Sequence, residues 1–187
     1  MNRRIAALSV SIALVSFGCA EPEPTAVLPV FTDDPAMSFT ANGATNAAVP
    51  LSGDEEVPAR ATRARGTAIF HRSEDGTALH YKLIVANIEN VVQSHIHIGA
   101  FGANGPVTVF LFGPVAPAGG RVNGPIAEGT ITAANLIGPL AGQTLDDLIA
   151  EMLAGNAYVN VHTDDGVDPR DTGAGDFASG EVRGQIR

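Results

Sequence analysis

A chain of 187 residues with 45% hydrophobic side chains is long enough for one domain with a real core, and its 21 glycines and 12 prolines promise many turns. Its net charge of −9 excludes a nucleic-acid partner, because a phosphate backbone needs concentrated Lys and Arg. A single cysteine excludes an internal disulfide framework.

The chain opens with Arg3-Arg4 and an apolar run from Ile5 to Phe17. That run is shorter than the about twenty residues a membrane span needs, so residues 1–18 read as an export signal peptide. Cys19 follows it directly, as the lipid-modified cysteine of a bacterial lipoprotein would, although Ser16 and Phe17 differ from the aliphatic and small residues usual there. The alternative is an ordinary secretory signal; either way the domain works outside the cytoplasm. Residues 19–48, rich in Pro, Ala, Thr and Asn, show no sustained period and read as a flexible linker. A lipid on Cys19 would attach the protein to a membrane without spanning it. The expected placement is the cell envelope, periplasmic or on the outer surface.

From residue 49 onward, short alternating runs are separated by turn residues. "RGTAIFHR" and "LHYKLIV" read as strands joined by the turn Ser73-Glu74-Asp75-Gly76. "SHIHIGAF", "GPVTVFLFG", "GRVNGPIAEGTIT", "NAYVNVHT" and "SGEVRGQIR" continue the series. The pattern predicts an all-β antiparallel Greek-key β-sandwich or barrel. One amphipathic helix interrupts it: Thr144 and Asp147 form a capping-box pattern, Leu145, Leu148, Ile149, Met152 and Leu153 share a face, and Gly155 suits the C′ position.

Successive side chains of a strand alternate, so His95 and His97 share one face. His162, in "AYVNVHT", shares a face with Tyr158 and Asn160. Three imidazoles suit copper or zinc with one position left open; equally, H-x-H at strand spacing arises where histidines bond to loops or face solvent. His71 and His80 flank the hairpin and are expected to be exposed. The turn Gly99 to Pro106 reads as a tight connection. The aspartates Asp164, Asp165, Asp168, Asp171 and Asp176 read as a solvated loop without the spacing of an EF-hand, or as the source of a carboxylate for the outer N–H of His162.

"LSGDEEVP" (51–58), "SHIHIGAFGANGPVTVFL" (94–111), "GNAYVNVHT" (155–163) and "GEVRGQI" (180–186), in this order, resemble a CHRD domain, the chordin-type module of many bacterial exported proteins, over residues 49–187. A more distant resemblance is to the copper-zinc superoxide dismutases, which are immunoglobulin-like sandwiches; it places His95, His97 and His162 where three copper ligands lie. Several dismutase features are missing: no histidine follows "GPVTVFLF", the zinc-ligand loop and cysteine pair are absent, and Gly180 stands where the active-site arginine would be. The resemblances together imply a non-catalytic extracytoplasmic binding or structural module, with no catalytic residues, whose protein or small-molecule ligand the sequence leaves open. The alternative is a three-histidine copper or zinc protein with redox or metal-handling activity.

Overall fold

The computed structural model describes residues 38–39 and 45–187. The signal peptide and Cys19 lie outside the described residues, as does most of the linker. The strands are β1 (Ser38–Phe39), β2 (Thr45–Ser52), β3 (Arg65–Arg72), β4 (Leu79–Glu89), β5 (Val91–Ile98), β6 (Val107–Phe112), β7 (Arg121–Ile131), β8 (Ala157–Thr163) and β9 (Val182–Ile186), with one α-helix, α1 (Leu145–Leu153). β2 begins at Thr45, inside the stretch read as linker, because Ala47 and Val49 alternate inward and pair with Phe70 and Ala68 of β3.

All pairings are antiparallel, in the order β6-β5-β8-β9-β2-β3-β4-β7, with β1 added beside β2. The result is a nearly closed barrel or sandwich of two four-stranded halves, joined where Ser52 of β2 pairs with Arg183 of β9. Inward residues of both halves make one core: Val49 and Leu51, Phe70, Leu83 and Val85 from one, Ile96, Val109, Val159, Val161, Val182 and Ile186 from the other. Gly76, at φ 72, closes the β3–β4 hairpin as the Asp-Gly pair predicts.

The helix is capped as its sequence requires: Thr144 Oγ1 accepts from the Asp147 N–H, and Asp147 Oδ2 accepts from the Thr144 N–H at 2.8 Å. Leu145, Leu148, Ile149 and Met152 are buried, whereas Leu153 is exposed at the end of the apolar face. Gly155, at φ 69, ends the helix.

β8 and β9 are buried on both faces, and β5 nearly so. One face of these strands is the apolar core. The other carries His95, His97, Tyr158, Asn160, His162, Arg183 and Gln185, all buried. A sandwich face turned away from the core is normally solvated; here loops roof it, and beneath the roof lies the only buried array of histidines among the described residues.

Candidate metal centre

Strand alternation puts His95 and His97 on the roofed face of β5, and β8 runs antiparallel beside it with His95 opposite Asn160, His97 opposite Tyr158 and Gln93 opposite His162. This register, joining segments far apart in sequence, delivers His162 to the other two. The ring centroids lie 5.4 Å apart for His95 and His97, 4.9 Å for His95 and His162, and 6.2 Å for His97 and His162. One nitrogen from each ring lies within 4.8 Å of the others, and no ring is more than 7% exposed.

Their hydrogen bonds fix which nitrogens are free. His97 donates its Nδ1–H to the Gly105 carbonyl at 2.8 Å, and His162 donates its Nδ1–H to the Ala178 carbonyl at 2.9 Å. Each Nε2 is therefore unprotonated, the arrangement that orients a metal-binding imidazole. His95 Nδ1 lies 3.1 Å from His162 Nε2. His95 Nε2 and His97 Nε2 are buried without any partner. Unpaired buried nitrogens are costly in a native fold, and a metal ion accepting their lone pairs removes that cost.

The electrostatics agree. Burial, reinforced by the neighbouring rings of His162 and His97, pushes His95 down from 6.5 to about 3. Burial likewise pushes His162 down to about 4, against the upward pull of its bond to Ala178, and holds His97 below its ordinary value. Neutral imidazoles are the form that binds metal. The residues present thus fit copper or zinc through a three-nitrogen set with room for a further ligand.

The roof is built from distant segments. The glycine-rich connection, Gly99 to Pro106, is indeed a link between strands, and it also supplies the carbonyl that holds His97. It passes so close that a Cβ at Gly105 would lie 1.7 Å from the Ile98 carbonyl oxygen. Arg183 fastens it, donating to the Ala103 carbonyl at 3.0 Å and the Ala100 carbonyl at 3.3 Å, while Gln185 Nε2 donates to the Gly99 carbonyl at 2.9 Å. The Arg183 guanidinium lies 3.5 Å from the centre of the Tyr158 ring, and His97 stacks on that ring at 4.8 Å and 8°. Phe110 meets His95 edge-on at 4.5 Å and is half exposed, so it forms the outer rim.

Gly180 leaves no room for a side chain beside the site. It sits at φ 127, and a Cβ there would lie 2.5 Å from Glu56 Oε1. A carboxyl group, and no cation, occupies the space beside Gly180. Burial raises the Glu56 pKa from 4.5 to about 7, although Arg183 and Arg60 draw it down. The folded state therefore binds this proton more tightly than the unfolded chain does. Its contribution to stability is complete below pH 4.5 and is lost as pH rises to about 7. Replacing Glu56 with Gln should abolish that loss, so that the variant gains on the order of 3 kcal/mol relative to the parent between acidic and mildly alkaline pH. Urea unfolding across the pH range reads this directly; identical profiles for the two proteins would show that Glu56 titrates normally.

All three histidines expected as ligands converge, and His71 and His80 are exposed and stack on each other at 6.4 Å. No aspartate accepts the outer N–H of His162; Ala178 does. The acidic loop is only partly solvated, since Asp164 and Asp176 are buried. Sequence reasoning missed Glu56, Tyr158, Asn160 and Arg183 as parts of the site. The available signal was bulky polar residues at every outward position of two adjacent strands, "AYVNVHT" and "EVRGQI".

Residues 47–170 match the CHRD domain. No curated protein and no solved structure matches the chain.

Proposed function

The chain belongs to the CHRD-domain family, and from that premise we propose that this member is a metal-handling protein that holds copper or zinc on His95, His97 and His162. The observation that carries the reading is the pair of buried, partnerless nitrogens, His95 Nε2 and His97 Nε2, beside a His162 ring already turned by Ala178. A bound ion would supply a Lewis-acid or, for copper, a redox centre. The protein's own part is to keep three imidazoles neutral, to fix two of their tautomers and to exclude water with the roof.

The same geometry favours binding over superoxide dismutation. Attracting and holding an anion needs a cation at the mouth. The space beside Gly180 holds the Glu56 carboxyl, and Arg183 spends its hydrogen bonds on backbone carbonyls and on Gln185 Oε1 at 2.9 Å. Arg3-Arg4, the apolar run and Cys19 extend the proposal to an exported protein, lipid-anchored at the envelope.

The test is the metal content of the full-length chain after separate exposure to copper and zinc and removal of free ion, with the His95→Ala/His97→Ala variant alongside. Near-stoichiometric metal in the parent and none in the variant is the expected result. Equal content in both sinks the site, and a folded parent that takes up neither metal leaves a non-catalytic binding module.

A further inference from the structure

The loop between β8 and β9 holds a second cluster, of a different chemistry. One carboxylate oxygen from each of Asp164, Asp165 and Asp176 lies within 4.8 Å of the other two. Asp164 is 6% and Asp176 2% exposed. Several of their oxygens are committed. Asp164 Oδ1 accepts from the Gly166 N–H at 2.7 Å, and Asp165 Oδ1 from the Val167 N–H at 2.8 Å. Asp176 Oδ2 accepts from the Thr172 N–H at 3.0 Å and the Thr172 hydroxyl at 2.6 Å.

Asp176 Oδ1 is the exception. It is shut off from solvent and has no hydrogen-bond partner, while Oδ2 is taken by Thr172. A buried anionic oxygen without a donor is costly, even though bonds from Thr172 to its partner oxygen hold the Asp176 carboxyl below its ordinary pKa. The cation in contact with the cluster is Arg170, 3.5 Å from Asp164 Oδ2 with its side chain 62% exposed. One largely solvated guanidinium does not neutralise three clustered carboxylates.

We propose that Asp164, Asp165 and Asp176 form a binding site for a hard divalent cation of calcium's kind, separate from the histidine centre. An all-oxygen donor set selects calcium or magnesium over copper and zinc. A loop that contributes carboxylates at irregular spacing suits the flexible coordination of calcium better than the strict octahedron of magnesium. The ion would fasten the segment that ends in Ala178, whose carbonyl orients His162. Occupancy of the acidic site would thereby steady one wall of the histidine site.

Calorimetric titration of the full-length, chelator-stripped protein with calcium alone tests this. The expected result is one calcium ion per chain with a dissociation constant of about 10⁻⁴ M, the range of extracellular modules. Asp176→Asn should weaken binding by about tenfold or more, as losses around metal sites do. Because Asp176 also caps the turn at Thr172, Asp165→Asn at a half-buried position gives the safer comparison, and it should weaken binding too. Arg170→Ala, which removes the competing cation, should tighten it. The His95→Ala/His97→Ala variant should bind calcium as the parent does, so failure of the histidine reading leaves this result intact. Absence of calcium binding by the parent, or parental affinity in Asp165→Asn, overturns the site.

Discussion

Copper or zinc, at a free concentration a thousandfold above the dissociation constant, should raise the unfolding free energy of this protein by about 4 kcal/mol, and the rise should vanish in His97→Ala. An ion that binds only the folded chain stabilises it by mass action, and the unfolded chain has no assembled trio to compete for it. His97 is the informative position. Its Nδ1–H is already committed to Gly105 and its Nε2 is bare, so alanine removes one complete, pre-oriented ligand. Unfolding with and without each metal provides the measurement. An equal shift in parent and variant would place the ion elsewhere.

The same burial sets the pH limit of that binding. Metal competes with protons for the imidazole lone pairs, so release follows the pKa values of the metal-free site. An exposed histidine site lets go as pH falls through about 6.5. Here two of the rings stay neutral down to about 4 and about 3, so the ion should be retained through mildly acidic pH.

Arg183→Met should cost about 1–3 kcal/mol, the range found when a buried hydrogen-bond partner is removed and its counterpart left unsatisfied. Arg183 is 1% exposed. Its loss leaves the Gln185 amide oxygen without its donor, takes one donor from each of the Ala100 and Ala103 carbonyls, and removes the cation facing Tyr158 and Glu56. Methionine fills part of the volume and satisfies none of these acceptors. Arg183→Lys should fall in between, because a single ammonium cannot reach acceptors spread across a planar fork. The loosened Gly99–Pro106 loop also carries the carbonyl that orients His97, so metal affinity should fall with stability. Urea denaturation gives the first quantity and metal titration the second. A cost under about 1 kcal/mol would mean that water replaces the guanidinium without difficulty.

Alternation in "LHYKLIV" and "AYVNVHT", the Asp-Gly turn and the Thr144 cap are local signals, and the β4 and β8 strands, the β3–β4 hairpin and the helix follow them. The shared face of His95 and His97 is local too, a consequence of a period of two. That His162 joins them depends on β5 pairing with β8 rather than with β3 or β4, and nothing within either segment specifies that choice; only the family-level resemblance pointed to it. The roof was illegible for a different reason. Arg183, Glu56 and Asn160 look like the ordinary polar half of a solvated strand or loop, and only loops from three distant parts of the chain turn that half inward. Asp176 is hidden similarly, within a run of aspartates that reads as uniformly wet.

β9 comes last among the strands yet lies mid-sheet, between β8 and β2. Before it docks, β2-β3-β4 and β5-β6 can form as hairpin units, but the two halves share no strand pairing through which to join. The seam couples Ser52 to Arg183, a closure across most of the chain whose entropy must be overcome before its contacts reward it. Folding should therefore be slow and nearly all-or-none. Arg183, which secures the roof, arrives on that same final strand, so a half-made chain has no sealed histidine pocket in which to trap the wrong ion.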